Sequence, residues 1–167
     1  MIGKANRLKS CSTRLGGNVM RALLDTNVMV DLFTGRPPEG EYAMKLQVMQ
    51  ELDDIELWVS AKSFTDAFYV MRKNNKSADV QRAFVKSMGF LNVCAVDADD
   101  IRMTAERCWP DFEDCLIDVC AEKVKADYLL TWDRKGFKNS HTTALSPRDF
   151  FAKLESELGL VYEAIDR

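Results

Sequence analysis

Short apolar runs alternate with stretches of helical spacing along most of the chain. The runs predict strands at residues 22–24, 57–59, 93–96, 128–131 and 143–145. Apolar residues at helical spacing predict helices over residues 41–52, 98–108 and 111–125, and others that begin at about residues 63, 77 and 146. Strands that alternate with helices form a parallel sheet covered on both faces. We therefore predict a three-layer α/β/α fold with a central parallel sheet of four to five strands.

Aspartates stand at the junctions between these predicted elements. Asp25 and Asp133 follow apolar strands, whereas Asp66 and Asp114 lie near the starts of helices. In sheets of this kind, ligands bind in the crevice outside the carboxyl ends of the strands. Two strand ends and two helix starts on that side of the sheet predict that the four carboxylates converge. Taken alone, each aspartate is more typical of a helix cap or a first helical turn.

Four carboxylates in one crevice have a restricted chemistry. Their charges repel one another unless a cation neutralises them, and ligands made only of oxygen favour Mg²⁺ or Mn²⁺. Such an ion polarises a phosphodiester and lowers the pKa of an attacking water. The acids therefore predict metal-dependent hydrolysis of phosphodiester bonds. The single histidine, His141, excludes a metal site with two histidine ligands, and its polar neighbours predict a loop position.

Three acidic motifs of the chain resemble those of PIN-domain ribonucleases. They are residues 23–28 (LLDTNV), residues 111–114 (DFED) followed by Ala121, and residues 130–137 (LTWDRKGF). The segment 145–151 (LSPRDFF) resembles the way many bacterial members of that family end. The resemblance covers residues 20–155, with the motifs in the order of the family.

The resemblance implies an activity and a set of partners. PIN-domain ribonucleases cut RNA with Mg²⁺ or Mn²⁺, and many bacterial ones are VapC-type toxins that a small antitoxin holds inactive. The chain is accordingly expected to be an endoribonuclease and the toxin of a type II toxin–antitoxin pair. RNA is then its substrate, a small antitoxin is its protein partner, and a homodimer is its expected assembly.

The resemblance also implies roles for the four acids. Asp25 would be the central metal ligand and Asp114 a second direct ligand. Asp133 would bind the metal directly or through water. Asp66 stands where the family more often has glutamate, so its shorter side chain reaches less far toward an ion.

Four further positions lie close in sequence to these acids. Thr131 would orient a phosphate or a water beside the last acid, and Asn27 would hold the first aspartate by a hydrogen bond. Trp132 stands where the family often has a polar residue, and it would either stack on a base or pack in the interior. Asp118 lies one helical turn after the third acid. It would be a further acid of the pocket or a solvated side chain, and we expect the solvated side chain.

Contact with RNA requires local basic patches, because the net charge of the chain is −3. Two groups of basic residues are close in sequence to the acids: Arg134, Lys135 and Lys138, and Arg72, Lys73 and Lys76. We expect Arg134, Lys135 and Lys138, which follow the last acid, to contact RNA phosphates. Basic residues in such places are equally typical of ordinary solvated surface.

Other classes of function make different demands on the sequence. A PIN-like domain can serve as an RNA- or protein-binding module without significant nuclease activity, but none of the four acids is missing. A phosphotransferase of the haloacid-dehalogenase type would need a second acid two residues after Asp25, where Asn27 stands. A P-loop or dinucleotide-binding fold would need a glycine-rich turn after the first strand, and the sequence has none there.

The predicted nuclease domain covers residues 20–158. Residues 1–19 show no helical or strand period and are predicted to be a flexible extension, and residues 159–167 are predicted to be a C-terminal tail. Three cysteines lie in apolar runs and are predicted to be buried: Cys94, Cys115 and Cys120. Reduced thiols are typical of a cytoplasmic protein. No run reaches the roughly 18 apolar residues that a membrane span requires.

Overall fold

Five parallel strands form one sheet at the centre of the molecule. A computed structural model describes residues 19–164, so the extension predicted for residues 1–19 lies outside the described residues except for its last position. The strands are β1 (Met20–Leu24), β2 (Ile55–Ser60), β3 (Asn92–Cys94), β4 (Tyr128–Leu130) and β5 (Thr143–Leu145). Their order is β3-β2-β1-β4-β5, and every neighbouring pair is parallel. The predicted parallel sheet is therefore confirmed.

Seven helices flank this sheet within residues 19–164. They are α1 (Thr26–Thr34), α2 (Glu39–Glu51), α3 (Ala61–Met71), α4 (Ser77–Ser87), α5 (Ala98–Arg107), α6 (Phe112–Lys123) and α7 (Pro147–Leu158). The sequence patterns did not predict α1, because its buried residues Val28, Met29 and Val30 are consecutive rather than spaced along one stripe. No helix in this part of the chain is long and apolar enough to cross a membrane.

The central strands β1 and β4 are buried on both faces. On β1, Ala22 and Leu24 pack into the larger core, which includes side chains of α1, α2, α3 and α7, whereas Leu23 faces the smaller core beneath α6. On β4, Leu130 and Leu129 face the same two cores in turn. Strands buried in this way read as continuous apolar runs, which is why the sequence predicted the three layers correctly.

The chain changes direction across the sheet between β1 and β4. From β1 it proceeds outward to β2 and β3, and it then returns to the other side of β1 to form β4 and β5. Such a point leaves a crevice at the carboxyl ends of the two strands. The Asp25 N–H donates a hydrogen bond to the Leu130 carbonyl oxygen there (2.9 Å). The residues that leave the two strands, Asp25 and Thr131, therefore meet across this crevice.

The chain after α7 folds back onto the larger core. Gly159 ends α7 in the left-handed conformation, with φ of 65°. Leu160 and Tyr162 then pack against the core, and the Tyr162 hydroxyl donates to Asp54 Oδ2 (3.0 Å). Part of the predicted tail therefore packs with the domain, while residues 165–167 lie outside the described residues.

Three of the thiols are interior residues, as predicted. Cys94, Cys115 and Cys120 are buried and free, whereas Cys108 is free and exposed. Cys94 and Cys120 belong to the smaller core beneath α6. These cysteines therefore act as small apolar residues of the interior.

Candidate active site

Asp25 lies at the base of the crevice and is only 6% exposed. It is the N-cap of α1, because its Oδ1 accepts a hydrogen bond from the Thr26 N–H (2.6 Å). Its Oδ2 accepts hydrogen bonds from Asn27 Nδ2 (2.7 Å) and Thr131 Oγ1 (2.8 Å). Donors from α1 and from the end of β4 thus fix the orientation of this carboxylate, and Asn27 stands where the resemblance implied.

Burial raises the pKa of Asp25 above its ordinary value. The hydrogen bonds from Thr131, Thr26 and Asn27 oppose this shift, and the negative charge of Glu113 adds to it. All three donors are neutral, so they orient the carboxylate without cancelling its charge. A buried carboxylate in this state is suited to bind a cation.

Thr131 connects the two aspartates that follow β1 and β4. Its hydroxyl donates to Asp25 and accepts a hydrogen bond from the Asp133 N–H (2.9 Å). The resemblance implied that Thr131 orients a phosphate or a water, but the residue is completely buried. The hydroxyl sets the relative position of Asp25 and Asp133, and a contact between Thr131 and a phosphate or a water stays a prediction.

Asp133 is held by the turn that follows it. Its Oδ1 accepts hydrogen bonds from the N–H groups of Lys135 and Gly136, at 3.1 and 3.3 Å. These two bonds occupy one carboxylate oxygen. The other oxygen, Oδ2, lies near the carboxylate of Asp114, as the surroundings of Gly136 show.

Gly136 gives the carboxylates of Asp114 and Asp133 room to approach one another. A Cβ atom at this position would overlap Oδ2 of Asp114 and would lie 3.4 Å from Oδ2 of Asp133. Asp114 reaches this point from the first turn of α6, whose N-cap is Asp111. Gly136 lies in the third acidic motif but was not predicted to be a site residue, because what matters there is the absence of a side chain where two carboxylates come close.

Burial raises the pKa of Asp114 to about 6. Neighbouring carboxylates act in the same direction: Asp111, Asp25, Asp133 and Glu113. Asp25, Asp114 and Asp133 therefore share one electrostatic environment. A cation bound among them would relieve this mutual repulsion.

The spacing of these three carboxylates suits an ion that keeps part of its water. In a compact set of ligands, one oxygen from each residue would lie within 4.8 Å of the others. The oxygens of Asp25, Asp114 and Asp133 are not all this close together. Mg²⁺ usually retains several waters and takes only one or two carboxylates directly. Asp25, Asp114 and Asp133 could therefore hold Mg²⁺ or Mn²⁺ partly through water.

Asp66 has a basic partner of its own. Its Oδ2 lies 2.5 Å from Lys62 Nζ, one turn earlier on α3, and the same Nζ lies 3.0 Å from Glu113 Oε2 at the start of α6. Partial burial opposes the charging of Lys62, but Asp66 and Glu113 together raise the pKa of this lysine. Neither Lys62 nor Glu113 was predicted from the sequence to belong to the site. Lys62 could have been found from its spacing, because a lysine four residues before Asp66 on one helix lies on the same face as that acid.

Trp132 is partly buried and packs against the larger core. Its indole Nε1 donates to Asp31 Oδ2 (2.7 Å), and its ring meets Tyr42 edge to face at 5.9 Å. Its backbone N–H donates to Asn27 Oδ1 (3.3 Å). Of the two alternatives for Trp132, packing is the one that the structure has.

The predicted RNA-contacting residues line an open hollow that begins directly after Asp133. Its lining residues are Arg134, Lys135, Phe137, Lys138, Ser140, Thr142, Thr143 and Ala144. Arg134 also forms an exposed ion pair with Asp149 (3.1 Å). Three basic side chains and several hydroxyls therefore surround one concave surface beside the acids.

The basic residues after α3 lie far from the acids. The helix begins at the carboxyl ends of the strands and runs for eleven residues, which is about 16 Å. Arg72, Lys73 and Lys76 follow its distant end, and the Arg72 guanidinium lies over the ring of Tyr69 at 5.3 Å. Nearness in sequence was misleading here, because the helix carries the chain away from the crevice.

Asp118 belongs to a separate polar group and is completely buried, so the predicted solvated side chain is wrong. Arg107 Nη1 lies 3.0 Å from its Oδ2, and the His141 N–H donates to the same oxygen (3.3 Å). The Ser140 hydroxyl donates to Oδ1. These contacts fasten the loop before β5 onto α6.

Asp118, Glu122 and His141 form the one compact group of possible metal ligands within residues 19–164. Arg107 bonds both acids, since its Nη2 also lies 2.7 Å from Glu122 Oε2. His141 Nδ1 lies 2.6 Å from the other oxygen of Glu122. The Arg107 guanidinium already supplies a positive charge to this group. We therefore interpret the group as a structural ion-pair network rather than a metal site. His141 lies in a loop, as predicted.

A sequence profile described as PIN domain matches residues 21–135. The matched segment runs from β1 into the turn after β4, and it contains all four predicted acids. No curated protein sequence matches the chain at a significant level. The profile covers more than half of the chain.

Solved structures of toxin proteins have the same fold. VapBC-1 from nontypeable Haemophilus influenzae aligns with a TM-score of 0.60 and 18% identity, over 77% of this chain and 99% of the other. VapBC2 from Rickettsia felis, bound to a DNA fragment from its promoter, aligns with a TM-score of 0.58 and 18% identity, over 76% and 98%. VapC20 from Mycobacterium tuberculosis, a Sarcin-Ricin loop cleaving toxin, aligns with a TM-score of 0.54 and 16% identity, over 70% and 95%. At these identities the likeness shows the fold alone.

Replacing Asp118 by alanine is expected to lower the free energy of unfolding by about 3 kcal/mol, because Arg107 and two hydrogen-bond donors would lose a buried partner. Urea unfolding followed by circular dichroism measures the change. The control is Asp99→Ala, which breaks an exposed pair with Arg102 and should change stability by less than about 0.5 kcal/mol. Equal losses in the two variants would contradict the structural role of Asp118.

Proposed function

Because the chain belongs to the PIN-domain family, we propose that it is a metal-dependent endoribonuclease that hydrolyses RNA phosphodiester bonds. PIN domains are generally nucleases that use divalent metal ions. The observation that carries the proposal is the meeting of Asp25, Asp114 and Asp133 at the crevice between β1 and β4. Among the residues described, no lysine or arginine pairs with any of these three carboxylates.

Asp25, Asp114 and Asp133 are the proposed ligands of Mg²⁺ or Mn²⁺. When bound, the ion would polarise the phosphodiester and lower the pKa of an attacking water. Asn27 and Thr131 hold Asp25 in one orientation, and such outer hydrogen bonds keep a ligand ready for the ion. Asp66 is not proposed as a direct ligand of the metal ion, because it forms an ion pair with Lys62.

The hollow after Asp133 is the proposed path of the RNA strand. Lys135 and Lys138 line it together with Arg134, and their positive charges suit the phosphates of a nucleic acid. The net charge of −3 makes such a local surface necessary, since the whole chain does not attract RNA. The hydroxyl of Thr143 on the same surface can donate a hydrogen bond to a phosphate oxygen.

We further propose that the chain is the toxin of a toxin–antitoxin pair, with a small antitoxin as its partner and a homodimer as its assembly. The support is the fold shared with the toxins of VapBC-1 and VapBC2 over nearly their whole length. An RNA-cleaving toxin needs a metal site open to a long substrate, and the hollow beside Asp133 is open in this way.

Replacing Asp25 by asparagine is expected to reduce RNA cleavage by more than about 100-fold. Loss of a residue that only hydrogen-bonds to a metal ligand lowers activity by about 10- to 100-fold, and loss of a ligand itself should lower it further. Cleavage of structured RNAs in Mn²⁺ is measured by gel electrophoresis, with EDTA expected to stop it. Asp99→Asn is the matched control, since that aspartate is exposed and pairs with Arg102. Full activity of Asp25→Asn would contradict the assignment of Asp25 as a metal ligand. A wild-type chain inactive on every RNA tested would instead favour a binding module.

Replacing Gly136 by alanine is expected to weaken Mn²⁺ binding about 10-fold, because the new Cβ would push aside the carboxylate of Asp114. The melting temperature should change little, since only the end of a side chain must move. Calorimetric titration with Mn²⁺ tests this. In the control, Gly89→Ala, the new Cβ would meet only the Lys86 carbonyl oxygen at 3.4 Å. Unchanged Mn²⁺ affinity in Gly136→Ala would show that Asp114 does not bind the ion.

Expression of the chain alone is expected to arrest the growth of a bacterial host, whereas expression of Asp25→Asn is not. Growth curves and colony counts after induction measure the difference, with immunoblots to show equal amounts of the two chains. If the wild-type chain cleaves RNA in vitro and its expression is harmless, the toxin role is excluded while the nuclease remains.

A further inference from the structure

Lys62 joins the first turns of two helices beside the proposed metal site. Its Nζ lies 2.5 Å from Asp66 Oδ2 on its own helix α3 and 3.0 Å from Glu113 Oε2 on α6. Two carboxylates from different elements therefore meet on one ammonium group. An ammonium is a compact point charge, and in this respect it resembles a small metal cation.

This group of three side chains adjoins the proposed metal ligands. Glu113 directly precedes Asp114, and its negative charge acts on both Asp25 and Asp114. The hydrogen bond between the hydroxyls of Thr26 and Ser63 (3.1 Å) holds the start of α3 against the start of α1. Lys62, Asp66 and Glu113 thus lie beside the proposed metal ligands, on the helices α3 and α6 that begin at the same edge of the sheet.

The carboxylate of Asp66 depends on this lysine. Its Oδ2 is shielded from solvent and makes no hydrogen bond of good geometry with any described residue. The nearby ammonium is therefore the group that compensates its charge. Without Lys62, Asp66 and Glu113 would be two uncompensated carboxylates at one place, which is an arrangement that attracts a divalent cation.

We propose that Lys62 occupies the place of a second metal ion, so that the crevice binds one divalent cation, at Asp25, Asp114 and Asp133. Two-metal nucleases need carboxylates for two ions about 3.5–4 Å apart. Here both carboxylates of the second position already contact one ammonium group, which fills the place between them that a second cation would take and leaves them a single net negative charge. This inference rests on the proposed metal-dependent activity, and it assigns that activity to a site with one ion.

The test is the number of Mn²⁺ ions that the full-length chain binds, measured by calorimetry and by the electron paramagnetic resonance signal of free Mn²⁺. Wild type is expected to bind one ion, and Lys62→Met is expected to bind two. Lys62→Arg keeps the charge and should bind one. Lys62→Gln, a second neutral variant, should bind two if Lys62→Met fails to fold.

A matched control removes a lysine with the same local geometry elsewhere. Lys153 lies 2.5 Å from Glu157, four residues later on α7, just as Lys62 lies 2.5 Å from Asp66. Lys153→Met should leave the count at one ion. Adding Asp66→Asn to Lys62→Met should return the count from two ions to one, because the new ion would lose a ligand.

The outcomes separate this inference from the proposed function. One ion in both wild type and the neutral Lys62 variants would overturn the role of Lys62 and leave the metal-dependent nuclease intact. Two ions in wild type would do the same. If wild type bound no Mn²⁺, or if Asp25→Asn bound it as wild type does, the proposed metal site itself would fail, and the inference with it.

Discussion

The carboxylate of Asp25 accepts hydrogen bonds from Thr26, Asn27 and Thr131 at the place where β1 and β4 separate. These bonds cap α1, connect the end of β1 with the end of β4, and leave the negative charge without a basic partner. Thr131 then extends the arrangement to Asp133 through the backbone N–H of that residue. Because the carboxylate is buried, these hydrogen bonds rather than contacts with water set its orientation. The rest of the crevice is therefore built around a fixed negative charge.

The acids near this edge fall into three groups that differ in what compensates their charge. Arg107 pairs with both Asp118 and Glu122, and neutral donors complete the contacts of Asp118, which makes that group part of the scaffold. Lys62 pairs with both Asp66 and Glu113 and compensates one of their two negative charges. Asp25 and Asp133 have only neutral donors among the described residues, and no basic side chain there pairs with Asp114, whose pKa rises because of burial and of its neighbours' charges. A group of carboxylates with no internal cation is the group expected to recruit one from solution.

The fold and the side chains carry different parts of the functional argument. At 16–18% identity, the likeness to the toxin structures shows a shared fold that places a crevice at the carboxyl ends of β1 and β4. Such a fold can hold many chemistries. The proposed chemistry depends on residues of this chain. The close approach at Gly136 and the ammonium of Lys62 are specific contacts of this kind.

Local sequence determined the elements and the ends of the strands. The apolar runs of β1 and β4, the caps at Asp111 and Ser146, and the positions of Asp25 and Asp133 all depend on residues close together in the chain, which is why the layers and the acidic edge could be predicted. Charge pairing depends on distances across the fold, so only the tertiary structure decided it. Asp114 and Asp118 are one turn apart on α6, yet one faces the crevice and the other is buried against Arg107. Lys62 and Glu113 are distant in sequence and meet because α3 and α6 begin at the same edge of the sheet.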